Sequence, residues 1–284
     1  MLYEIKNDYI TVKADTFGAE MHSLQHDGVE YLWQCGDSWK RYAPILFPFI
    51  CSPKKRQYLV DGKQYTMKAN HGFARDMEFH LLRHTDDEIT FELHSNDETL
   101  EQYPFPFSFE VTYHLLSNGV EVRHVVKNEG STPMYFYLGG HPAFNCPING
   151  DGVFSDYDVI YELPEHLTHQ NGSDVKEVED GKIMHLKREL FDNDSIILAE
   201  PHSKSIMLCS SKTEHSVTVE FPESDCITVW SPTNDDRAEF VCLEPWTSVP
   251  IDFDDAEPEL FRKPHALKLE AGNSYHYLYR ILVK

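Results

Sequence analysis

The stretch Phe107-Ser-Phe-Glu-Val-Thr-Tyr-His-Leu-Leu-Ser-Asn-Gly-Val-Glu-Val-Arg-His-Val-Val126 decides the fold class. Phe107, Phe109, Val111 and Tyr113 recur with a period of two, so they share one face of an extended strand. Val120-Glu-Val-Arg-His-Val-Val126 alternates in the same way. Ser117-Asn-Gly119 lies between the two runs and reads as a hairpin turn, with Gly119 expected to supply a positive φ. Working outward, Tyr9-Ile-Thr-Val-Lys13, Ile89-Thr-Phe-Glu-Leu93 and Ser216-Val-Thr-Val-Glu-Phe221 repeat the pattern, and Val60-Asp-Gly-Lys63 reads as a second hairpin turn. Period-2 runs bounded by Gly, Asn, Asp and Pro are half-buried antiparallel strands. Helical periodicity is nearly absent. The helical expectations are short, Pro201 to Lys204 and Pro258-Glu-Leu-Phe261, and the polar stretch from Glu165 to Glu189 reads as a long loop or hairpin. No Gly/Ser-type linker or internal repeat divides the chain. The expectation is one all-β domain over residues 1–284, a large antiparallel β-sandwich.

Hydrophobic residues make up 41% of the 284-residue chain and aromatics 13%, enough for a sizeable core rather than a disordered chain. The formal net charge of −22 argues against binding nucleic acid or an anionic membrane, both of which call for Lys and Arg. It does not exclude a neutral small molecule, an anionic one would need a local basic pocket, and the plain reading of the charge is solubility. Cys35, Cys51, Cys146, Cys209, Cys226 and Cys242 are scattered without CxxC spacing, so neither a disulfide framework nor a zinc site is expected. The N-terminal MLYEIKNDYITVKAD has no apolar signal-peptide core, and no apolar run reaches the length of a membrane span. A cytoplasmic protein, monomeric or homodimeric, is the expectation.

Three clusters carry ionisable groups among Gly, Pro and aromatic neighbours: Asn70-His-Gly-Phe-Ala-Arg75, Gly139-Gly-His-Pro-Ala-Phe-Asn-Cys-Pro147 and Cys242-Leu-Glu-Pro-Trp246. Gly and Pro set special backbone geometry, and aromatics build apolar walls. A lone histidine is more often packed or exposed than catalytic, and by spacing alone Glu244 reads more readily as a structural carboxylate. An imidazole acid and a carboxylate base nevertheless suit a small polar substrate. There is no HExxH zinc motif, GxSxG elbow or phosphate-binding Walker loop. Asp235-Asp236 and Asp252-Phe-Asp-Asp255 read as solvated acidic turns. Tyr103-Pro-Phe-Pro-Phe107 reads as a strand entry packed in the core rather than as a sugar-stacking surface.

At these residues the chain resembles the aldose 1-epimerase (galactose mutarotase) family, and more closely its LacX-like branch. The matching segments run in order: Gly18-Ala19 with Glu30-Tyr-Leu-Trp33, Ala43-Pro-Ile-Leu-Phe-Pro48, His71-Gly-Phe-Ala-Arg75, Gly140-His-Pro-Ala-Phe-Asn145, Leu190-Phe-Asp-Asn-Asp194 and Cys242-Leu-Glu-Pro-Trp246. The ordered set is specific where any one motif is not. The resemblance implies a galactose mutarotase-like sandwich and interconversion of hexose anomers with no metal and no organic cofactor. It implies His141 as general acid at the ring oxygen and Glu244 as general base at the anomeric hydroxyl. It further implies that His71 binds the sugar and polarises the ring oxygen, that Asp194 or its neighbour Asp192 binds substrate, and that Arg75 matches the arginine used by sugar-phosphate relatives. One departure stands out. Relatives usually continue the Pro48 segment with Gly-Arg, whereas this chain reads Phe49-Ile-Cys-Ser-Pro-Lys-Lys-Arg56, with Ser52 near the usual arginine. If Lys54, Lys55 and Arg56 joined Arg75 in the pocket, a hexose 6-phosphate would become the alternative substrate. A non-catalytic carbohydrate-binding protein is the other alternative.

Overall fold

The computed structural model describes every residue except 177, 234 and 255, and residue 254 in its backbone only. The hairpin read first forms two interior strands, the seventh and eighth in order, of a ten-stranded antiparallel sheet. Phe107–Leu116 pairs with Gly119–Asn128 in unbroken register from Phe107 opposite Asn128 to Leu116 opposite Gly119. Glu88–His94 and Ser274–Val283 flank this hairpin. Phe107, Phe109, Val111 and Tyr113 are all buried, as their alternation requires.

Gly119 has a role other than the expected one. It is the first residue of its strand and its φ is not positive; a Cβ there would lie 2.0 Å from the Ile281 carbonyl oxygen. Close approach of the neighbouring strand, not turn conformation, requires the glycine. The second hairpin follows expectation: Gln57–Val60 and Lys63–Thr66 are joined by Asp61 and Gly62, with φ of 51° and 74°.

A seven-stranded sheet packs against the large one. Its path runs through Thr168–His169, Ile196–Ala199, Cys226–Trp230, Phe240–Trp246, Gly139–Gly140 and Ile45–Leu46, with Ala143–Asn145 also paired to Phe240–Trp246. Phe47 stacks on Phe109 at 4.7 Å between ring centroids, and a Cβ on Gly140 would sit 2.4 Å from the Tyr279 Oη. These contacts close the sandwich. A four-stranded sheet over Leu2–Glu30, the second hairpin and a short pair of Met134–Phe136 with Leu267–Leu269 complete the strands.

With 10% helix and 45% strand, the all-β expectation holds. The α-helix present, Asp97–Gln102, is capped by the Asn96 side chain accepting from the Thr99 amide. The expected helical turn at Pro201 to Lys204 is irregular instead, and the later one is displaced to a 3-10 turn at Leu260–Arg262. A proline at the start allows a helical turn, but a span this short nucleates only when packing imposes it. The stretch from Glu165 to Glu189 holds a small hairpin, Val178–Glu179 with Ile183–His185, within longer irregular chain. Tyr103, Phe105 and Phe107 are buried in the core. Among the described residues no helix is long and apolar enough to cross a membrane.

Candidate active site

Strand alternation along Phe240–Trp246 builds the site. Val241 and Leu243 join the main core between the sheets. Phe240 and Cys242 belong to a separate small cluster on the opposite face, packed with Trp33, Trp39 and Trp230. Glu244 shares the Phe240 and Cys242 face by period two. Gly139 lies opposite Trp246 and Ala143 opposite Cys242. The same register carried through the interval puts position 141 opposite 244. Pro142 has no N–H for the ladder, so regular pairing lapses where His141 stands. The His141 amide instead donates to the Pro44 carbonyl at 3.0 Å. The outcome is a His141 Nε2 to Glu244 Oε2 distance of 3.2 Å. The glycines before the histidine are part of this geometry, since a Cβ on Gly139 would lie 2.5 Å from the Trp246 ring.

The pair lines a cavity of about 390 Å³. Trp39 stacks on the His141 ring at 4.9 Å, and Trp230 meets it edge-on at 5.6 Å. His71, Arg75, Asp194, Thr228, Trp246 and Asp252 also line the cavity, so all five side chains singled out in the sequence converge on it. Asp192 is not among the residues that line it.

His71 is held by an unusual backbone. It has φ of 60°, and Gly72 follows with φ of 74°. A Cβ on Gly72 would lie 2.2 Å from the Phe47 carbonyl oxygen, so the His-Gly-Phe sequence is tied to the Ala43–Pro48 segment. The Cys51 amide donates to His71 Nδ1 at 3.0 Å. Nδ1 is therefore the unprotonated nitrogen, and Nε2–H remains as a donor. Burial, then the neighbouring His141 and Arg75 charges, hold His71 well below the usual imidazole range. It is a neutral donor of fixed tautomer whose ring meets that of His141 edge-on at 5.6 Å.

Burial governs the pair's electrostatics. It pushes His141 down to about 3, with the Arg75 charge adding to the effect. It pushes Glu244 well above the ordinary carboxylate range, with the Asp194 charge adding. Together these directions mean that the pair holds one proton over a wide pH span. His141 Nδ1 and Glu244 Oε2 are buried without a hydrogen-bond partner, although Oε2 lies within ion-pair distance of the imidazole. The 3.2 Å approach lacks hydrogen-bond alignment, so Glu244 Oε2 is a buried acceptor without a donor. Arg75 Nε likewise lacks a hydrogen-bond partner, with the Asp76 carboxylate 3.9 Å away.

Several site residues escaped the sequence reading. Trp39 comes from the loop between the Glu30–Trp33 and Ala43–Pro48 segments and belongs to neither. Thr228 lies opposite Glu244 on Cys226–Trp230, and Trp230 lies opposite Cys242. Their period-2 placement was visible in the sequence, but not which strand would neighbour Glu244. Asp252, read as part of a solvated turn, lines the cavity, because the 3-10 turn Ile251–Asp254 folds back against it. Asp255, from the same run, lies outside the described residues. Asp235 fits the expected turn, accepting from the Arg237 amide. Ser52 faces the cavity, but Lys54, Lys55 and Arg56 do not. Lys54 and Lys55 line a separate depression, and the Arg56 guanidinium donates to the Lys68 carbonyl.

A two-sheet antiparallel sandwich with an imidazole and a carboxyl side by side in a polar, tryptophan-walled cavity defines a galactose mutarotase-like protein. A structure of a galactose mutarotase related enzyme from Lactobacillus acidophilus superposes with TM-score 0.91 and 30% identity, covering 100% of this chain and 97% of that one. A galactose mutarotase-like protein from Lactobacillus casei ATCC 334 also gives 0.91, with 34% identity and 100% of both chains covered. The family model for aldose 1-epimerase matches residues 1–276. Two LacX proteins of Lactococcus lactis subsp. lactis, plasmid and chromosomal, are each 32% identical over 267 residues, 88% of this chain and 88% of theirs. The chain belongs to the aldose 1-epimerase family and is similar to its LacX members. That membership supports an isomerase of mutarotase type.

Proposed function

We propose that the protein interconverts the α and β anomers of a free hexose by acid–base ring opening and closure, with His141 and Glu244 as the reacting pair. One observation carries the reading: the two groups stand 3.2 Å apart at the wall of a sugar-sized polar cavity. In a cyclic aldose the anomeric hydroxyl and the ring oxygen are attached to one carbon. A base for the first and an acid for the second must therefore be neighbours.

Proton bookkeeping fits the buried pair. Burial favours the single shared proton on Glu244 in the free protein. Transfer across the gap gives carboxylate and imidazolium. Glu244 then takes the proton of the C1 hydroxyl, while His141 delivers its own to the ring oxygen as the C1–O bond breaks. The open-chain aldehyde rotates about C1–C2, and closure on the other face reverses both transfers. The pair holds one proton throughout, so the net charge of the buried site does not change. His71 donates through Nε2–H to the developing alkoxide at the ring oxygen, and Asp194 and Asp252 accept from sugar hydroxyls. The residues supply the whole reaction, so a metal or organic cofactor has no assigned step.

The cavity favours an unphosphorylated sugar. It presents three carboxyl groups, Asp194, Glu244 and Asp252, against the single guanidinium of Arg75, while the Lys54–Arg56 run lies elsewhere. A phosphate dianion prefers clustered cations. We place the whole of residues 1–284 in one cytoplasmic domain, acting as a monomer or homodimer. A mutarotation panel of fresh α-glucose, α-galactose and the two hexose 6-phosphates tests the reading. Acceleration of the free sugars above the buffer rate is expected. Acceleration confined to the phosphates overturns the substrate class, and tight binding without acceleration overturns catalysis.

A further inference from the structure

We propose that His141, Glu244 and Cys242 together form a binding site for a borderline-soft divalent cation of the Zn²⁺ type, and that the cation shuts the enzyme by occupying the place of the shared proton. One ligand atom from each of the three lies within 4.8 Å of the others. All three residues are buried, and Glu244 Oε2, the atom that faces His141 Nε2, has no hydrogen-bond partner. The cluster is therefore under-satisfied from within the protein.

The fold explains why the three meet. Cys242 and Glu244 are two apart on one strand and share its face. The position of His141 is fixed opposite Glu244 by the register that places Ala143 opposite Cys242. Nitrogen, sulfur and carboxylate oxygen form a donor set suited to Zn²⁺ or Co²⁺ rather than to Mg²⁺ or Ca²⁺, which take oxygen ligands. Metal–ligand distances of about 2.0–2.3 Å put neighbouring ligands on a tetrahedral ion roughly 3.4–3.6 Å apart. The His141–Glu244 edge at 3.2 Å is already close to that spacing. Closing the cluster thus falls chiefly to the thiol. The cavity in front of the pair leaves a fourth position for water or a sugar hydroxyl.

Binding and inhibition separate in the test. The binding claim stands on the three donors alone, whereas the inhibition claim rests on the acid–base reading above. The whole protein, freed of metal with a chelator, is titrated with Co²⁺. A thiolate-to-cobalt charge-transfer absorption is expected in the wild type and in Cys51→Ala, whose thiol also faces the cavity but lies outside the cluster. It is expected to vanish in Cys242→Ala. A band that is absent in the wild type, or that survives in Cys242→Ala, overturns the site. For inhibition, Zn²⁺ at micromolar levels is expected to suppress mutarotation competitively with sugar, with recovery on chelation and no effect of millimolar Mg²⁺. Measured against each protein's own metal-free rate, the Zn²⁺ needed for half-inhibition rises at least tenfold in Cys242→Ala, the lower end of the 10–100-fold seen on disturbing a metal's outer shell. Equal Zn²⁺ sensitivity of the two proteins overturns the role of Cys242. A Co²⁺ band without any inhibition leaves the site standing and overturns its overlap with catalysis.

Discussion

Replacing Glu244 with glutamine removes a buried carboxyl with almost no change in volume, and the account predicts opposite effects on activity and stability. In the unfolded chain this carboxyl loses its proton near 4.5. In the fold, burial keeps one proton on the His141–Glu244 pair well above that value. Above pH 4.5 the native pair therefore binds one proton more than the native glutamine variant does, while the unfolded carboxylate binds none. A group whose pKa is raised by folding contributes stability below its unfolded value and loses it as pH rises towards the folded value. The wild type should lose about 1.4 kcal/mol against the variant for each pH unit above 4.5, until the native pair itself deprotonates. Between pH 5 and pH 7 the variant gains on the wild type, by at most about 2.7 kcal/mol. The count does not depend on which partner holds the proton. His141 titrates in both unfolded chains and cancels. Urea denaturation of both proteins at pH 5, 6 and 7 reads the difference, and any constant offset from altered packing drops out of the slope. Two stability curves that run parallel across this range would refute a proton held by the buried pair.

Other expectations follow from the same geometry. The kcat/KM of the wild type should stay level from pH 7 down to 5, because the second proton binds the pair only near 3; an inflection near 6.5 in a pH series would show an ordinary histidine instead. His71→Asn keeps an acceptor for the Cys51 amide but loses the Nε2–H donor, so thermal melting should change little while kcat/KM falls about 10–100-fold, the mark of a lost substrate contact. Gly72→Ala forces a Cβ to 2.2 Å from the Phe47 carbonyl at a φ of 74°, and should destabilise the protein by at least about 2 kcal/mol in chemical denaturation, with His71 displaced and KM raised.

Much of this was legible in the residues, for a definite reason. Period-2 patterning such as Phe107 to Tyr113 reports which side of a strand is buried, and the structure buries those four side chains. His71, Arg75, His141 and Glu244 stood out because they lie in segments rich in Gly, Pro and aromatic neighbours, whereas Asp194 was reached only through the family resemblance. Their meeting was not legible from spacing. It depends on Gly139–Asn145 lying beside Phe240–Trp246, a pairing between segments about a hundred residues apart that no local pattern encodes. Trp39 and Thr228 were hidden for the same reason. Asp252 was read as solvated because an acidic turn looks alike whether it faces water or a cavity. Gly119 was assigned to a turn because hairpin glycines usually serve there, whereas the crowding comes from a strand that closes the sheet from the far end of the chain.

The central claim is that His141 and Glu244 open and close a sugar ring. It is tested most directly by following the optical rotation of freshly dissolved α-glucose and α-galactose with the wild type, His141→Asn and Glu244→Gln, each checked for folding. The account predicts acceleration by the wild type and a loss of about 10²–10⁴-fold in each variant, the range for removing a positioned acid or base. Variants that are folded and retain the full rate would contradict it.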